Sequence, residues 1–307
     1  MKLYSQKIAI VTCADHNYFK LLEELIESIL RFEDSKYLSI CVIDGGLTSE
    51  QKEKIKNKIF SIRNLKHDLI GFEKYEKKPY FAGLVSRLYL RETFPEFDKF
   101  IWIDSDAWIN SWKAIEYLIE ASSNDKFAAV ATADRHNEKV LNFKWFFRSI
   151  GMMKSQNFKH ALSSGYGLNV SRKLALKPHV NCGVFALNSN SGFWDVWQRH
   201  YKLAALKGRF FASEQLTMNI CIYHENLKTE LLPHFCNWIP NSKNTLWDEN
   251  KNCFVEQYFP NNEIGVMHLA GGFFVGKKDM RYNKDLKIKI STLSGKKIYK
   301  SFRYSID

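Results

Sequence analysis

Two aspartates one residue apart follow a short apolar run in the first half of the chain. The run, residues 100–103, is Phe-Ile-Trp-Ile and predicts a buried strand that ends at Asp104 and Asp106. Side chains at i and i+2 share one face of an extended backbone, so the two carboxylates should lie together. Two such oxygen donors repel each other unless a divalent cation neutralises them, which suits Mg²⁺ or Mn²⁺. A solvated Asp-x-Asp turn is the alternative interpretation of this pair.

The elements that would position these aspartates alternate between strands and helices. A helical apolar face begins at Leu22, and Thr48 to Gln51 has the pattern of a capping box. Further strands are predicted at residues 7–13, 38–43, 127–132, 180–187 and 265–269. This order indicates an α/β fold with a parallel sheet, whose ligands bind at the carboxyl edge of the strands.

Composition indicates a folded protein with a large core. The chain has 307 residues, of which 45% are hydrophobic and 15% aromatic, which excludes a disordered protein. Every apolar run is shorter than the roughly 18 residues that span a bilayer, and the N-terminus lacks the apolar region of a signal peptide. The six cysteines are scattered without a Cys-x-x-Cys pair, which predicts a reduced, cytoplasmic protein.

Positive charge is concentrated at the C-terminus. Residues 277–307 contain ten Lys or Arg and three Asp, so they supply +7 of the net charge of +12. Aromatic and β-branched residues are interleaved with these charges. Such a segment could bind an anionic membrane surface or a nucleic acid, or it could simply be a solvated terminus.

Six short motifs follow one another along the chain, at residues 10–18, 86–88, 104–106, 181–184, 214–219 and 268–271. Any one of them is weak, but the ordered series resembles the family 8 glycosyltransferases, retaining enzymes that use nucleotide sugars. Within that family it is similar to bacterial lipopolysaccharide and capsule galactosyl- or glucosyltransferases. The resemblance implies an α/β fold of GT-A type, with a Rossmann-like mixed sheet and flanking helices. It implies one large domain over residues 1–275, with an acceptor-side insertion at 135–178, and a basic aromatic tail at 276–307.

The resemblance also implies roles for individual residues. His268 would join Asp104 and Asp106 as the third metal ligand, and an imidazole among oxygens favours Mn²⁺ over Mg²⁺. The residues expected to bind the nucleotide sugar, a UDP-linked donor, are Thr12, Asp15, Asn17, Tyr18, Arg87, Asp134, Asn181, Gly271 and Lys277.

The chain departs from the family pattern at Phe274 and in the motif at 214–219, where Glu214 replaces the usual Asp and Leu216 replaces the second Asp. The position of the family's diphosphate-binding lysine is Phe274 here, so Lys277 or the adjacent lysine would have to replace it. Retention by double displacement needs a carboxylate nucleophile, whereas the matching position is the amide Gln215. We therefore expect a front-face transfer in which Gln215 stabilises the anomeric centre, with Glu214 as the alternative nucleophile.

The expected function is metal-dependent transfer of a hexose to a saccharide or lipid-linked acceptor with retention. The enzyme would work in the cytoplasm, peripherally bound to the inner face of the membrane. An inverting GT-A enzyme is one alternative. An NTPase is another, because residues 271–278 differ by one residue from a P-loop. A basic nucleic-acid-binding protein is the third, but it leaves the aspartate pair and the motif series unexplained.

Overall fold

A computed structural model of the protein describes residues 4–65, 80–136, 156–207 and 213–306. Within these ranges the helices are α1 Phe19–Leu30, α2 Ser49–Ile55, α3 Tyr80–Ser86, α4 Leu90–Thr93, α5 Lys113–Ala121, α6 Gln156–Ser163, α7 Gly167–Ala175, α8 Phe193–Lys207 and α9 Ser213–Tyr223. The first eight strands are β1 Ile8–Ala14, β2 Leu38–Asp44, β3 Ser61–Arg63, β4 Lys99–Ile103, β5 Ala107–Ile109, β6 Phe127–Ala131, β7 Val180–Asn188 and β8 Thr229–Leu231. The remaining strands are β9 Thr245–Asp248, β10 Cys253–Glu256, β11 Val266–His268, β12 Phe274–Val275, β13 Lys278–Asp279, β14 Ile288–Thr292 and β15 Lys297–Lys300.

The central sheet has seven strands in the order β3-β2-β1-β4-β7-β6-β8. The chain leaves β1 toward β2 and β3 on one side and returns to place β4 on the other. The gap between the carboxyl ends of β1 and β4 is therefore a topological switch point, where open α/β sheets bind their ligands. The two predicted aspartates follow β4 at this point.

The predicted α/β fold with a mixed sheet and flanking helices is confirmed, and the parallel sheet that the alternation of strands and helices indicates is interrupted at β7. This strand is antiparallel to both of its neighbours, β4 and β6, whereas the other neighbouring pairs are parallel. The direction of β7 follows from where the chain enters it after α6 and α7. The His179 carbonyl accepts a hydrogen bond from Thr132 N just beyond the carboxyl end of β6, so β7 starts at that edge and runs back.

Alternating side chains of the strands form two cores, one on each face of the sheet. On one face, Ile10 and Ile101 pack with the buried sides of α1 and α5. On the other face, Val11 and Trp102 pack with Trp197 of α8 and with α9. The strands are buried on both faces, which explains why the sequence shows apolar runs instead of alternation.

A second, four-stranded sheet in the order β10-β9-β14-β15 lies in the C-terminal part of the chain. Residues 276–307, predicted as a basic tail, contribute β13, β14 and β15 and bury Met280, Ile290 and Phe302 in a core with Trp108 of β5. The Trp108 Nε1–H donates to the Phe302 carbonyl at 2.7 Å. The C-terminal segment therefore packs directly behind the loop that carries the two aspartates.

A buried ion pair ties the same segment to α1. The Arg303 Nε–H donates to Glu24 Oε2 at 2.9 Å, a second bond joins Arg303 Nη2 to Glu24 Oε1, and both side chains are almost completely buried. Arg303 Nη1 also donates to the Arg281 carbonyl at 3.0 Å. Burial outweighs the attraction of Arg303 and raises the pKa of Glu24, so desolvation of the pair offsets much of its Coulomb energy.

All six cysteines are unpaired. Each helix in the described ranges falls short of the length and apolarity that crossing a bilayer requires. Residues 137–155, most of the first half of the predicted acceptor-side insertion, lie outside the described residues.

Removing one partner of the Glu24–Arg303 pair should destabilise the protein. Glu24→Ala leaves a buried guanidinium without its counter-charge, so we expect the free energy of unfolding in urea to fall by about 3–5 kcal/mol. Glu24→Leu combined with Arg303→Met should recover most of that loss. As a control, Glu33→Ala, which breaks an exposed pair with Lys36, should cost less than about 1 kcal/mol. An unchanged stability of Glu24→Ala would contradict this account.

Candidate active site

Asp104, the first residue after β4, is held by hydrogen bonds that fix the orientation of its carboxylate. Its backbone N–H donates to the Gly183 carbonyl at 2.8 Å. Its Oδ1 accepts from Trp102 Nε1 at 2.7 Å and from Arg87 Nη2 at 2.6 Å. The other oxygen, Oδ2, lies 3.6 Å from His268 Nε2. One oxygen is therefore satisfied by the protein, and the second remains as a possible ligand.

Asp106 and His268 meet because β5 and β11 pair as antiparallel strands. His268 lies opposite Ala107, which brings its Nε2 to 3.3 Å from Asp106 Oδ1. One ligand atom from each of Asp104, Asp106 and His268 lies within 4.8 Å of the others. Two carboxylate oxygens and an imidazole nitrogen are a donor set that suits Mn²⁺, so these residues fit the predicted ion.

The charges of this group perturb one another. Burial disfavours the imidazolium, but the hydrogen bond and the negative charge of Asp106 outweigh it and raise the pKa of His268. Burial also disfavours the Asp106 carboxylate, but the positive charges of His268 and Arg281 lower its pKa. Nearby positive charges thus stabilise the negative charge of this group, and a bound cation could do the same.

Gly183 of β7 is required by the closeness of these side chains. A Cβ at this position would lie 2.3 Å from His268 Cε1 and 2.8 Å from Asp104 Oδ2. Both atoms belong to predicted metal ligands that are already fixed by other contacts. Any larger residue would therefore push the ligands apart, which gives the Asn-Cys-Gly-Val motif a steric reason.

Arg87 lies behind the carboxylates, where it bridges two acidic residues. Its Nη1 lies 3.3 Å from Glu214 Oε1 and 2.8 Å from Cys182 Sγ, while Nη2 binds Asp104. Arg87 is only 6% exposed and Glu214 only 3%. Burial raises the pKa of Glu214 to about 7 despite the neighbouring arginine. Arg87 is thus placed to orient Asp104, and Glu214 is buried as its ion-pair partner.

Gln215 and Asn181 lie side by side next to the predicted metal group. Gln215 Oε1 accepts from Asn181 Nδ2 at 3.3 Å and from the Cys182 N–H at 3.2 Å. Asn181 Oδ1 accepts from Asn237 Nδ2 at 3.1 Å, and Asn237 Oδ1 lies 2.8 Å from His268 Nδ1. A hydrogen-bond network therefore joins two predicted donor-sugar residues to a predicted metal ligand through Asn237, which no sequence motif indicated.

Asp15 stabilises the turn that follows β1. Its Oδ1 accepts from the backbone N–H groups of Asn17 and Tyr18, both at 3.0 Å, and so it shapes the turn into α1. The Tyr18 hydroxyl accepts from Arg281 Nη1 at 2.8 Å. Three of the residues predicted for the nucleotide thus form one turn, and Tyr18 connects it to the C-terminal segment.

Four predicted binding residues, Gly271 among them, show no hydrogen bond to these site residues in the described part of the chain. Thr12 lies inside β1 and is only 1% exposed. Asp134 caps the turn after β6, where its Oδ1 accepts from the His136 N–H at 3.1 Å. Lys277 is exposed at the turn between β12 and β13.

Arg281 is a site residue that the sequence analysis missed. Its Nη1 lies 3.7 Å from Asp106 Oδ2, and its Nη2 forms a 2.7 Å ion pair with Asp279. Gly271, just after His268, has a φ of +70°, a conformation that glycine adopts easily and that starts the turn toward Arg281. Arg281 is one of ten positive residues in the basic tail, and no spacing distinguishes it from the others.

The P-loop alternative is wrong for residues 271–278. This stretch forms the hairpin of β12 and β13, whereas a P-loop must lead from a strand into a helix whose N-terminus holds the phosphates. The P-loop-like pattern of residues 271–278 therefore no longer supports an NTPase.

Comparisons with known proteins identify both the family and the fold. A model of glycosyl transferase family 8 matches residues 9–169, slightly more than half of the chain. No protein of curated function matches the sequence.

Many solved structures are similar to this one, among them those of two glycosyltransferases, WbbM and LgtC. The bifunctional glycosyltransferase WbbM superposes with a TM-score of 0.54 at 16% identity over 90% of this chain, which spans only 48% of the WbbM chain. The galactosyltransferase LgtC, solved with donor and acceptor sugar analogues, has a TM-score of 0.52 at 13% identity over 86% of this chain and 87% of its own. These likenesses show the GT-A fold. The family match, which covers more than half of the chain, establishes that the chain belongs to glycosyl transferase family 8 and is a glycosyltransferase.

Proposed function

We propose that the protein transfers a hexose from a UDP-sugar to a saccharide or glycolipid acceptor with retention of configuration. The observation that carries the proposal is the cluster of Asp104, Asp106 and His268 at the switch point of the sheet. LgtC, which has the same fold, was solved with donor and acceptor sugar analogues, which supports a sugar donor and a sugar acceptor here. Assembly of a surface polysaccharide or lipopolysaccharide is the corresponding process that we propose.

We assign the divalent ion, Mn²⁺ in preference to Mg²⁺, to these three side chains. When bound, the ion would act as a Lewis acid that stabilises the negative charge developing on the leaving diphosphate. The protein's own contribution is to fix the ligands. Arg87 and Trp102 hold one oxygen of Asp104, and Asn237 holds the far nitrogen of His268. Such outer contacts keep the donor atoms aimed at one point.

The nucleotide would bind at the turn after β1. In this proposal Tyr18 stacks on the base, and Asp15 or Asn17 hydrogen-bonds to it. We assign most of the donor site to residues 1–275, with Arg281 of the C-terminal segment beside it, and the acceptor side to residues 135–178. Asp134 and Asn181 are assigned to hydroxyl groups of the donor sugar.

The transfer itself would use the neutral amide of Gln215. The bond between the anomeric carbon and the phosphate oxygen breaks, and the acceptor oxygen attacks from the same face. The acceptor proton passes to the leaving phosphate, so no protein carboxylate is needed as a base. Gln215 would stabilise the positive anomeric centre through its carbonyl oxygen. Glu214 is a weaker candidate for a nucleophile because it is buried and paired with Arg87.

Loss of one metal ligand should abolish metal-dependent turnover. We expect Asp106→Asn to lower kcat/KM for the UDP-sugar by at least about 100-fold, because a neutral amide cannot replace the carboxylate charge. Calorimetry should show that wild-type protein binds UDP only when Mn²⁺ is present. In the variant, adding Mn²⁺ should no longer promote UDP binding. Glu120→Gln, which removes an exposed carboxylate on α5, is the control. Full turnover of wild-type protein in a chelator would refute the metal mechanism.

Arg281 is our candidate for the positive charge beside the diphosphate. It lies next to Asp106 and Tyr18, whereas Lys277 lies at an exposed hairpin turn. We expect Arg281→Ala to weaken UDP binding in the presence of Mn²⁺ by about 10- to 100-fold, the worth of a charged hydrogen bond. Arg281→Lys should be intermediate, since an ammonium keeps the charge but not the planar fork.

Lys277→Ala tests the sequence prediction in the same assay. A smaller loss of UDP affinity than in Arg281→Ala would favour Arg281 as the diphosphate partner. The reverse order would return that role to Lys277.

A lipid-linked acceptor would require contact with an anionic membrane. The outer face of β14 and β15, which we call the basic face, carries Lys287, Lys289, Lys297 and Tyr299, while Ile290 points into the core. Each lysine near an anionic surface contributes about 1 kcal/mol, so the three together could hold the protein reversibly. We propose that this face binds the cytoplasmic surface of the membrane.

Charge reversal of the basic face should release the protein from membranes. The triple variant Lys287→Glu/Lys289→Glu/Lys297→Glu should bind anionic vesicles with an affinity at least about 100-fold lower than that of wild-type protein. Co-sedimentation measures this affinity. Turnover with a soluble acceptor should persist. The control changes three exposed lysines elsewhere, Lys173, Lys202 and Lys228, to Glu. Equal losses in the two triple variants would show that net charge, not this face, controls binding.

A further inference from the structure

A continuous line of hydrogen bonds runs from the metal group through Gln215 and ends at α6. Beyond Gln215, the Nε2 of its amide lies 2.6 Å from His179 Nε2. The other ring nitrogen, His179 Nδ1, lies 2.6 Å from Asn157 Oδ1. On the near side the line continues through Asn181 and Asn237 to the Nδ1 of His268, as described above.

Backbone N–H groups fix which atom donates at each step. The Gly183 N–H donates to Asn181 at 2.8 Å, so the atom facing it must be the carbonyl oxygen Oδ1. The Cys182 N–H faces Gln215 in the same way, so Oε1 of Gln215 must lie on that side. Backbone amides can only donate, and both side-chain orientations therefore follow.

The orientation of Gln215 in turn fixes the tautomer of His179. Because the NH₂ group of Gln215 points to His179 Nε2, that nitrogen must be the acceptor and carry no proton. The ring proton therefore sits on Nδ1, where it is donated to Asn157 Oδ1. Burial, helped by the nearby His160, lowers the pKa of His179 to about 4, so the ring is neutral at physiological pH, as this arrangement requires.

We propose that His179, held by Asn157 in its Nδ1-protonated form, is a positioning residue that fixes the Gln215 amide with its carbonyl oxygen toward Asn181 and the sugar site. The inference rests on the role of Gln215 in the proposed function. Two anchors, the Cys182 N–H at the oxygen and His179 at the nitrogen, hold both ends of the amide. Without His179 the NH₂ group loses its acceptor, and the side chain gains rotational freedom at the point where the sugar would react.

The first test measures the tautomer directly and needs no substrate. Long-range ¹⁵N–¹H NMR spectra of full-length protein with labelled histidine should show one ring protonated at Nδ1 and unprotonated at Nε2. Its signal is assigned by its absence in His179→Gln. The ring should remain neutral when the pH is lowered to 5. An Nε2-protonated tautomer for His179 would overturn the proposal.

The second test separates positioning from folding. His179→Phe keeps the ring volume but removes the acceptor, so kcat should fall by about 10- to 100-fold while the donor KM and the affinity for Mn²⁺ stay near wild type. His179→Gln offers an acceptor oxygen near the position of Nε2 and should restore most of kcat. Asn157→Leu leaves His179 in place but removes the acceptor at its Nδ1, so the loss of kcat should be intermediate. This variant tests the proposal if His179→Phe does not fold.

The outcomes distinguish this inference from the proposed function. Equal kcat losses in the Phe and Gln variants, or a loss only in KM, would overturn the positioning role. Gln215→Ala is the reference, because its kcat loss sets the largest effect that His179 can have by acting through Gln215. If wild-type protein turns over no UDP-sugar at all, the proposed function fails, and the NMR result still judges the tautomer.

Discussion

The repulsion between Asp104 and Asp106 is the constraint on which the arrangement of the site depends. Both carboxylates follow one strand and are largely buried, so in a low-dielectric site their charge must be compensated. Three separate parts of the chain supply that compensation: Arg87 after α3, His268 at the end of β11, and Arg281 in the C-terminal segment. The sheet, the β5–β11 pairing and the C-terminal core each deliver one of these groups to the same point.

The compensating charges differ in their freedom to respond to a ligand. Arg87 is almost completely buried and forms ion pairs with Asp104 and Glu214, so its charge remains committed to these two carboxylates. Arg281 is less deeply buried and, at 3.7 Å from Asp106 Oδ2, is attracted to this carboxylate without a close hydrogen bond. A cation bound by Asp106 would compensate that carboxylate, so the charge of Arg281, still held by Asp279 and Tyr18, could also attract an anionic ligand. The burial of Arg303 against α1 keeps Arg281 close enough to do so.

The sequence could predict the strands, the α/β class and the aspartate pair because these depend on local patterns. Apolar runs mark strands buried on both faces, and Asp104 and Asp106 are neighbours in the chain. Arg281 could not be predicted, because its position follows from the packing of Met280 and Phe302, which lie among evenly spread positive charges. The positive charges on either side of Ile288 and Ile290 also hide the alternation of β14, which is why the sequence predicts a tail there.

The neutrality of Gln215 follows from the same charge balance. A third carboxylate at this position would lie beside Asn181 and close to Glu214, whose own pKa is already raised to about 7 by burial. It would also face His179, whose neutral form is favoured by burial. An amide avoids this cost and still presents an oxygen dipole. The surroundings of residue 215 therefore favour a neutral amide over a carboxylate, which is what the proposed front-face transfer requires.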